Sequence, residues 1–131
     1  MHIMPPYAAL LALLFVFLSV RTLLLRKKLQ IAVGDAGDKS MIRAMRVHAN
    51  FAEYTPLALV LALMLELAGD YPVLVHVVCA CLLVGRISHA YGVSQVKEDY
   101  RFRVTGMYLT FASIAGSAVS MLAIQGARLI S

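Results

Sequence analysis

Charge is what this chain has least of. Only 15% of its 131 residues are Asp, Glu, Lys or Arg, against 61% hydrophobic, and the mean hydropathy is +0.80. A soluble domain of ordinary composition carries about 25% charged residues. That scarcity excludes a conventional water-soluble domain, because so much apolar surface can be covered only by lipid. Acidic residues are the rarer kind, 7 against 12 basic, leaving a net charge of +5. In a soluble protein such an excess would point to nucleic acid. Here the basic residues sit at the ends of apolar runs, so membrane topology explains them and no nucleic-acid partner is expected. Cysteine is limited to Cys79 and Cys81. One residue apart among aliphatic neighbours, they are poorly placed for a mutual disulfide, make no metal constellation, and read as small apolar packers. No basic residue precedes the first apolar run, and its basic cluster follows it. That is the reverse of a cleavable signal, so the run is expected to be a retained span. There is no internal repeat and no low-complexity tract.

Four apolar runs remain, each near the roughly 20 residues that a membrane helix needs. They are expected over Tyr7–Leu25, Met41–Leu67, Val73–Gly92 and Phe102–Ile124, within one domain that takes in residues 1–131. The fold class is therefore all-α, an integral membrane four-helix bundle. Gly34-Asp35-Ala36-Gly37 marks the longest loop, Gly69-Asp70-Tyr71-Pro72 a tight turn, and Val96–Tyr100 a short polar link. Small residues in span four, Gly106 and Gly116 with several Ala and Ser, permit close helix approach. Arg26, Lys27, Lys28, Lys39, Arg43 and Arg46 surround the first loop, and Lys97, Arg101 and Arg103 the third. The positive-inside bias then puts both loops in the cytoplasm and both termini on the opposite side, with Arg128 a minor exception.

The informative segment is Arg43-Ala-Met-Arg46-Val-His48-Ala-Asn50-Phe-Ala-Glu53-Tyr54-Thr-Pro56. At 100° per residue, positions 43, 46, 50, 53 and 54 fall within about one third of the helix circumference, and His48 points elsewhere. A charged residue at mid-span costs about 2.5–3.5 kcal/mol on insertion scales. The stripe must therefore face protein, a water-filled crevice or a ligand. One reading is a structural ion pair of Arg46 with Glu53 and Arg43, with Asn50 bonding between helices. The other is a bound anion, favoured because one carboxylate does not neutralise Arg43, Arg46, Arg26 and Arg103 together. Pro56 interrupts the backbone hydrogen bonding of this span and leaves the carbonyl near Ala52 without its usual partner. On span three, Arg86 and His89 stand three residues apart and share a face. His89 and Tyr91 are either site residues or anchors in the headgroup zone. Arg101 and Arg103 either snorkel to phosphate or serve a site.

Arg46-x-x-x-Asn50-x-x-Glu53-Tyr54-x-Pro56 resembles the signature of the MAPEG family, the membrane-associated proteins in eicosanoid and glutathione metabolism. The resemblance extends over nearly the whole chain: its length, four spans, a basic first loop, the span-two signature and an arginine opening span four. The short loops and the Gly-Asp-x-Gly stretch are most similar to the bacterial branch, which implies a bacterial inner membrane. The resemblance implies a homotrimer that binds glutathione in clefts between protomers, open to the cytoplasm. Carried over by position, Arg46, Asn50, Glu53 and Tyr54 hold the tripeptide and Arg43 adds a contact. Arg103 lies close to the glutathione sulfur, and Arg26 contributes from the adjacent protomer. These two arginines are the expected catalytic residues. Span three matches less closely: where many members have tyrosines, this chain offers His89 and Tyr91.

The ligand's chemistry suits these residues. Glutathione has two carboxylates, an ammonium and a thiol, and arginine forks bind carboxylates bidentately. A free thiol has a pKa of about 8.5, which neighbouring cations lower. The expected activity is that of a glutathione transferase, or a glutathione-dependent peroxidase, with glutathione as co-substrate and no metal. The second substrate, a hydrophobic electrophile or lipid hydroperoxide, would arrive through membrane lipid. Two other functions compete. One is a non-catalytic glutathione- or lipid-binding protein of the same fold. The other, a four-span multidrug-type exporter, ranks low because span one lacks a membrane-embedded acidic residue.

Overall fold

A computed structural model of the chain describes residues 2–69, 71–95, 97 and 99–130. Asp70 of the expected turn, and Val96 and Glu98 of the expected link, lie outside the described residues. Among the described residues the chain forms four α-helices and no strand: α1 (Met4–Leu29), α2 (Lys39–Ala68), α3 (Pro72–Ser94) and α4 (Tyr100–Ile130). All four are long and apolar enough to cross a membrane. This is the expected all-α membrane bundle, with each helix running past the apolar run that predicted it.

The helix ends follow from local chemistry. Prolines occupy the first turns of α1 and α3, where a missing N–H costs nothing. The N-terminus of α1 is also held from α2, where the Glu66 carboxylate accepts from the Ile3 and Met4 backbone N–H groups. A carboxylate there also complements the helix dipole. The loop from 30 to 38 turns through left-handed backbone at Gly34 and Gly37, both at φ 73°, a conformation glycine adopts without strain. Asp38 then starts α2. Its carboxylate accepts from the Ser40 and Met41 backbone N–H groups at 2.9 Å and from the Ser40 hydroxyl at 2.5 Å. The Ser40 hydroxyl, aided by the Met41 N–H, holds the Asp38 carboxyl below its ordinary value of 3.8.

The core is a pair of apolar clusters stacked along the bundle. Leu18, Val47, Phe51 and Leu82 belong to the one nearer the first and third loops. Ala62, Leu65, Val75 and Cys79 belong to the other. Cys79 thus packs in the core, as its apolar neighbours suggested. The closest helix pair is α3 with α4. A Cβ on Gly106 would lie 2.6 Å from the His89 backbone nitrogen, and one on Gly85 would lie 2.9 Å from the Gly106 carbonyl oxygen. Bare backbone at both positions is what permits that approach. Large apolar side chains such as Leu13, Leu23, Val73 and Leu122 point outward, each at least 64% exposed. In water they would be a liability; in a bilayer they are the lipid contact.

Candidate functional site

The basic starts of α2 and α4 and the end of α3 flank a cavity of about 530 Å³. The first turns of α2 supply most of its wall. Lys39, Ile42, Arg43, Arg46 and Asn50 recur at helical spacing and present one face. From α3 come His89 and Val93, one turn apart, and from α4 comes Arg103. Four cationic side chains therefore line one cleft, and none of its described lining residues is acidic. Arg43 donates to the Val93 carbonyl at 3.2 Å, tying α2 to the end of α3.

Behind Asn50, outside the cavity lining, lies Arg86. It is the one charged residue in the sequence of α3 and is 1% exposed. Its Nη1 donates to Asn50 Oδ1 at 2.8 Å and to the Asn50 carbonyl at 3.4 Å. Its Nη2 lies 3.5 Å from Met107 Sδ, and its guanidinium carbon lies 5.9 Å from the Tyr54 ring centroid. Its Nε meets no hydrogen-bond partner among the described residues. Asn50 thus bonds between helices while also lining the cleft, and it marks the cleft's inner limit on α2.

The structure divides the sequence-predicted residues. Arg43, Arg46, Asn50, His89 and Arg103 come together around the cavity. Glu53 is exposed on the outer surface of α2, deeper along the same stripe, and is not paired with Arg46 among the described contacts. Tyr54 packs edge-on against Phe111 with ring centroids 5.6 Å apart. Tyr91 turns against Phe102 at 5.1 Å. Arg26 sits across the first loop, donating to the Gly34 carbonyl at 2.8 Å and to Met45 Sδ at 3.3 Å. These four do not line the cavity of a single protomer. His48 faces away, as its angle predicted, stacked on Phe15 and bonded to Ser19 Oγ at 3.0 Å.

One cationic lining residue, Lys39, is not among the candidates the sequence offers. Lys39 lies on the same helical stripe as Arg43, Arg46 and Asn50, and extending the angular arithmetic one turn upstream finds it. The spacing pairs Arg86 with His89, but its bond to Asn50 depends on how α3 docks, which no spacing reveals. Among the described residues, no three His, Cys, Asp or Glu side chains gather in a way that would hold a metal ion.

A bundle of four membrane-spanning helices with an arginine-lined cleft at the end of its spans defines a class of multi-pass integral membrane protein. Residues 4–123 match the MAPEG family, and the chain belongs to it. It is similar to the inner membrane protein YecN of Escherichia coli strain K12, at 37% identity over 108 residues, 82% of this chain and 81% of that protein. YecN of E. coli O6:H1 strain CFT073 matches to the same extent. The expected multi-pass, inner-membrane location agrees with this relative and with the four spans.

Proposed function

We propose that the cleft binds glutathione and that the protein is a membrane glutathione transferase or glutathione-dependent peroxidase. The carrying observation is the convergence of Arg43, Arg46, Arg103 and Lys39 on one cavity in a MAPEG protein. A tripeptide with two carboxylates and one ammonium is a net anion that matches this lining. Arg43 and Arg46 are placed for carboxylates. Asn50 and His89 offer polar partners to the peptide. Arg103, opposite them on α4, is the cation for the sulfur, where it would favour the thiolate. In transfer, the thiolate forms a C–S bond to an electrophilic carbon, and the displaced group leaves with the electron pair. In peroxide reduction, two glutathiones are oxidised to the disulfide while the hydroperoxide becomes an alcohol and water. The apolar outer faces supply the route for a lipophilic partner. The reading includes a homotrimer, in which Arg26, Glu53 and Tyr54 would act at the boundary with a second protomer. It also places the cleft on the cytoplasmic side.

Calorimetric titration of the detergent-purified protein tests this. Glutathione is expected to bind, and Arg46→Ala to bind about tenfold or more weakly, the worth of one charge-assisted contact. Equal affinity in wild type and variant would remove the site. A second reading, binding without turnover, draws on the position of Tyr91, which rests against Phe102 rather than in the cleft. Conjugation or peroxidase activity abolished by Arg103→Gln, with glutathione still bound, would exclude that alternative.

A further inference from the structure

A second cavity, about 450 Å³, opens on the lipid-facing side of α1 and shares no lining residue with the first. Along α1 its wall runs from Phe17 through Val20 and Leu24 to Lys28, with Arg21 beside them. These positions lie on one helical face and rise about 16 Å along the axis. That matches one leaflet's hydrocarbon depth of about 15 Å. The wall is graded in polarity. Its deep part is apolar and open to lipid, with Phe17 61% and Leu24 62% exposed. Its shallow part has Lys28 together with Ser40, at the start of α2, whose hydroxyl is taken up by Asp38, and the hydroxyl of Ser94, at the end of α3.

Arg21 joins the two parts. Its backbone is two turns deeper than Lys28, but its Nη1 donates to Ser94 Oγ at 2.5 Å. The Ser94 hydroxyl in turn donates to the Ala90 carbonyl at 2.5 Å, which leaves its oxygen as the acceptor for Arg21. The guanidinium is thereby pinned toward the end of α3, at the level of the other polar groups. One side of the cavity thus needs hydrocarbon and the other needs an anion, on the same surface and in membrane order. We propose that this cleft is a binding site for one anionic glycerophospholipid. Its phosphate meets Arg21 and Lys28, and an acyl chain lies along Phe17, Val20 and Leu24. Free phosphate would leave the apolar wall uncovered. A second copy docking this face on its own equivalent would bring like charges together.

The test uses the full-length protein, delipidated in mild detergent, and native mass spectrometry. Phosphatidylglycerol and phosphatidylcholine of identical acyl chains are compared. One phosphatidylglycerol is expected to stay bound per protomer, with a preference over phosphatidylcholine of about fivefold for each cation. Arg21→Gln and Lys28→Gln should each remove about that factor while leaving glutathione binding unchanged. Lys28 is exposed, so its variant keeps the test valid should Arg21→Gln fail to fold. Equal retention of the two lipids would overturn the proposal, as would a preference undiminished by Lys28→Gln. It would also fall if Leu24→Cys, in a Cys79→Ala/Cys81→Ala background, formed a disulfide between two protomers in the membrane. That result would mean that protein covers the wall.

Discussion

A guanidinium in the middle of a membrane bundle is tolerated only where its charge and its donors are met. Arg86 is 1% exposed, and the Asn50 side chain supplies its shortest hydrogen bond. The two residues are therefore unequal under mutation. Asn50→Leu leaves a buried cation without its main acceptor and should cost upwards of about 3 kcal/mol, the loss being larger for a charged group. Arg86→Met removes the charge and leaves only an amide oxygen unsatisfied, at about 1–3 kcal/mol. Asn50→Leu combined with Arg86→Met should be more stable than Asn50→Leu alone. Thermal unfolding in one detergent measures all three, and additive losses would show that the pair is not coupled. Sequence reasoning reached half of this arrangement. The helical angles gathered 43, 46 and 50 correctly onto one face, because that face is set by the helix alone. They also admitted 53 and 54, which the angles do not separate from the rest. The separation comes from depth: Asn50 is the last α2 residue that lines the cavity, and it is bonded to Arg86 of α3.

The contact between α3 and α4 sets the width of that cleft, since His89 and Arg103 stand on its two sides. Gly106 lies against the backbone of His89, and a methyl group there would meet its nitrogen at 2.6 Å. Backbone does not yield as a flexible side chain does. Gly106→Ala should therefore push the helices apart and destabilise the bundle by about 1–3 kcal/mol, the usual range for overpacking. Glutathione affinity should fall as well, although residue 106 does not line the cavity. Loss of stability with affinity intact would separate the helix contact from the site. Sequence marked Gly106 as a small residue in a membrane span, but which backbone it touches is a matter of docking. At the other end of the site, Asp38 starts α2 and thereby orients Lys39, Arg43 and Arg46. Its carboxyl value is depressed in the folded chain, chiefly by the Ser40 hydroxyl. The stabilisation is therefore complete above the ordinary value of 3.8 and is lost as pH falls through the lower folded value. The difference in melting temperature between wild type and Asp38→Ala should be present at neutral pH and shrink below pH 3.8. A gap that stayed constant into strong acid would mean that the carboxylate is not the cap.

On the scale of the whole bundle, basic charge is separated by membrane face. Arg26, Lys27, Lys28, Lys39, Arg43 and Arg46 gather around the junction of α1 and α2, and Lys97, Arg101 and Arg103 around that of α3 and α4. At the opposite end stands Arg128, which donates to the Ala68 carbonyl at the close of α2. This asymmetry was plain in the sequence, because hydropathy marks the spans and charge marks their ends without any knowledge of packing. The same field should govern insertion and leave the cleft open to the cytoplasm, where glutathione would be met. Impermeant maleimide labelling of spheroplasts reads this directly, in a protein whose Cys79 and Cys81 have been replaced by alanine. Tyr71→Cys, in the turn between α2 and α3, should react from outside. Lys97→Cys, in the link before α4, should react only after the membrane is opened. The reverse pattern would turn the cleft toward the periplasm. The arginine-lined cavity would remain, but its ligand would have to be an anion found there rather than a cytoplasmic thiol peptide.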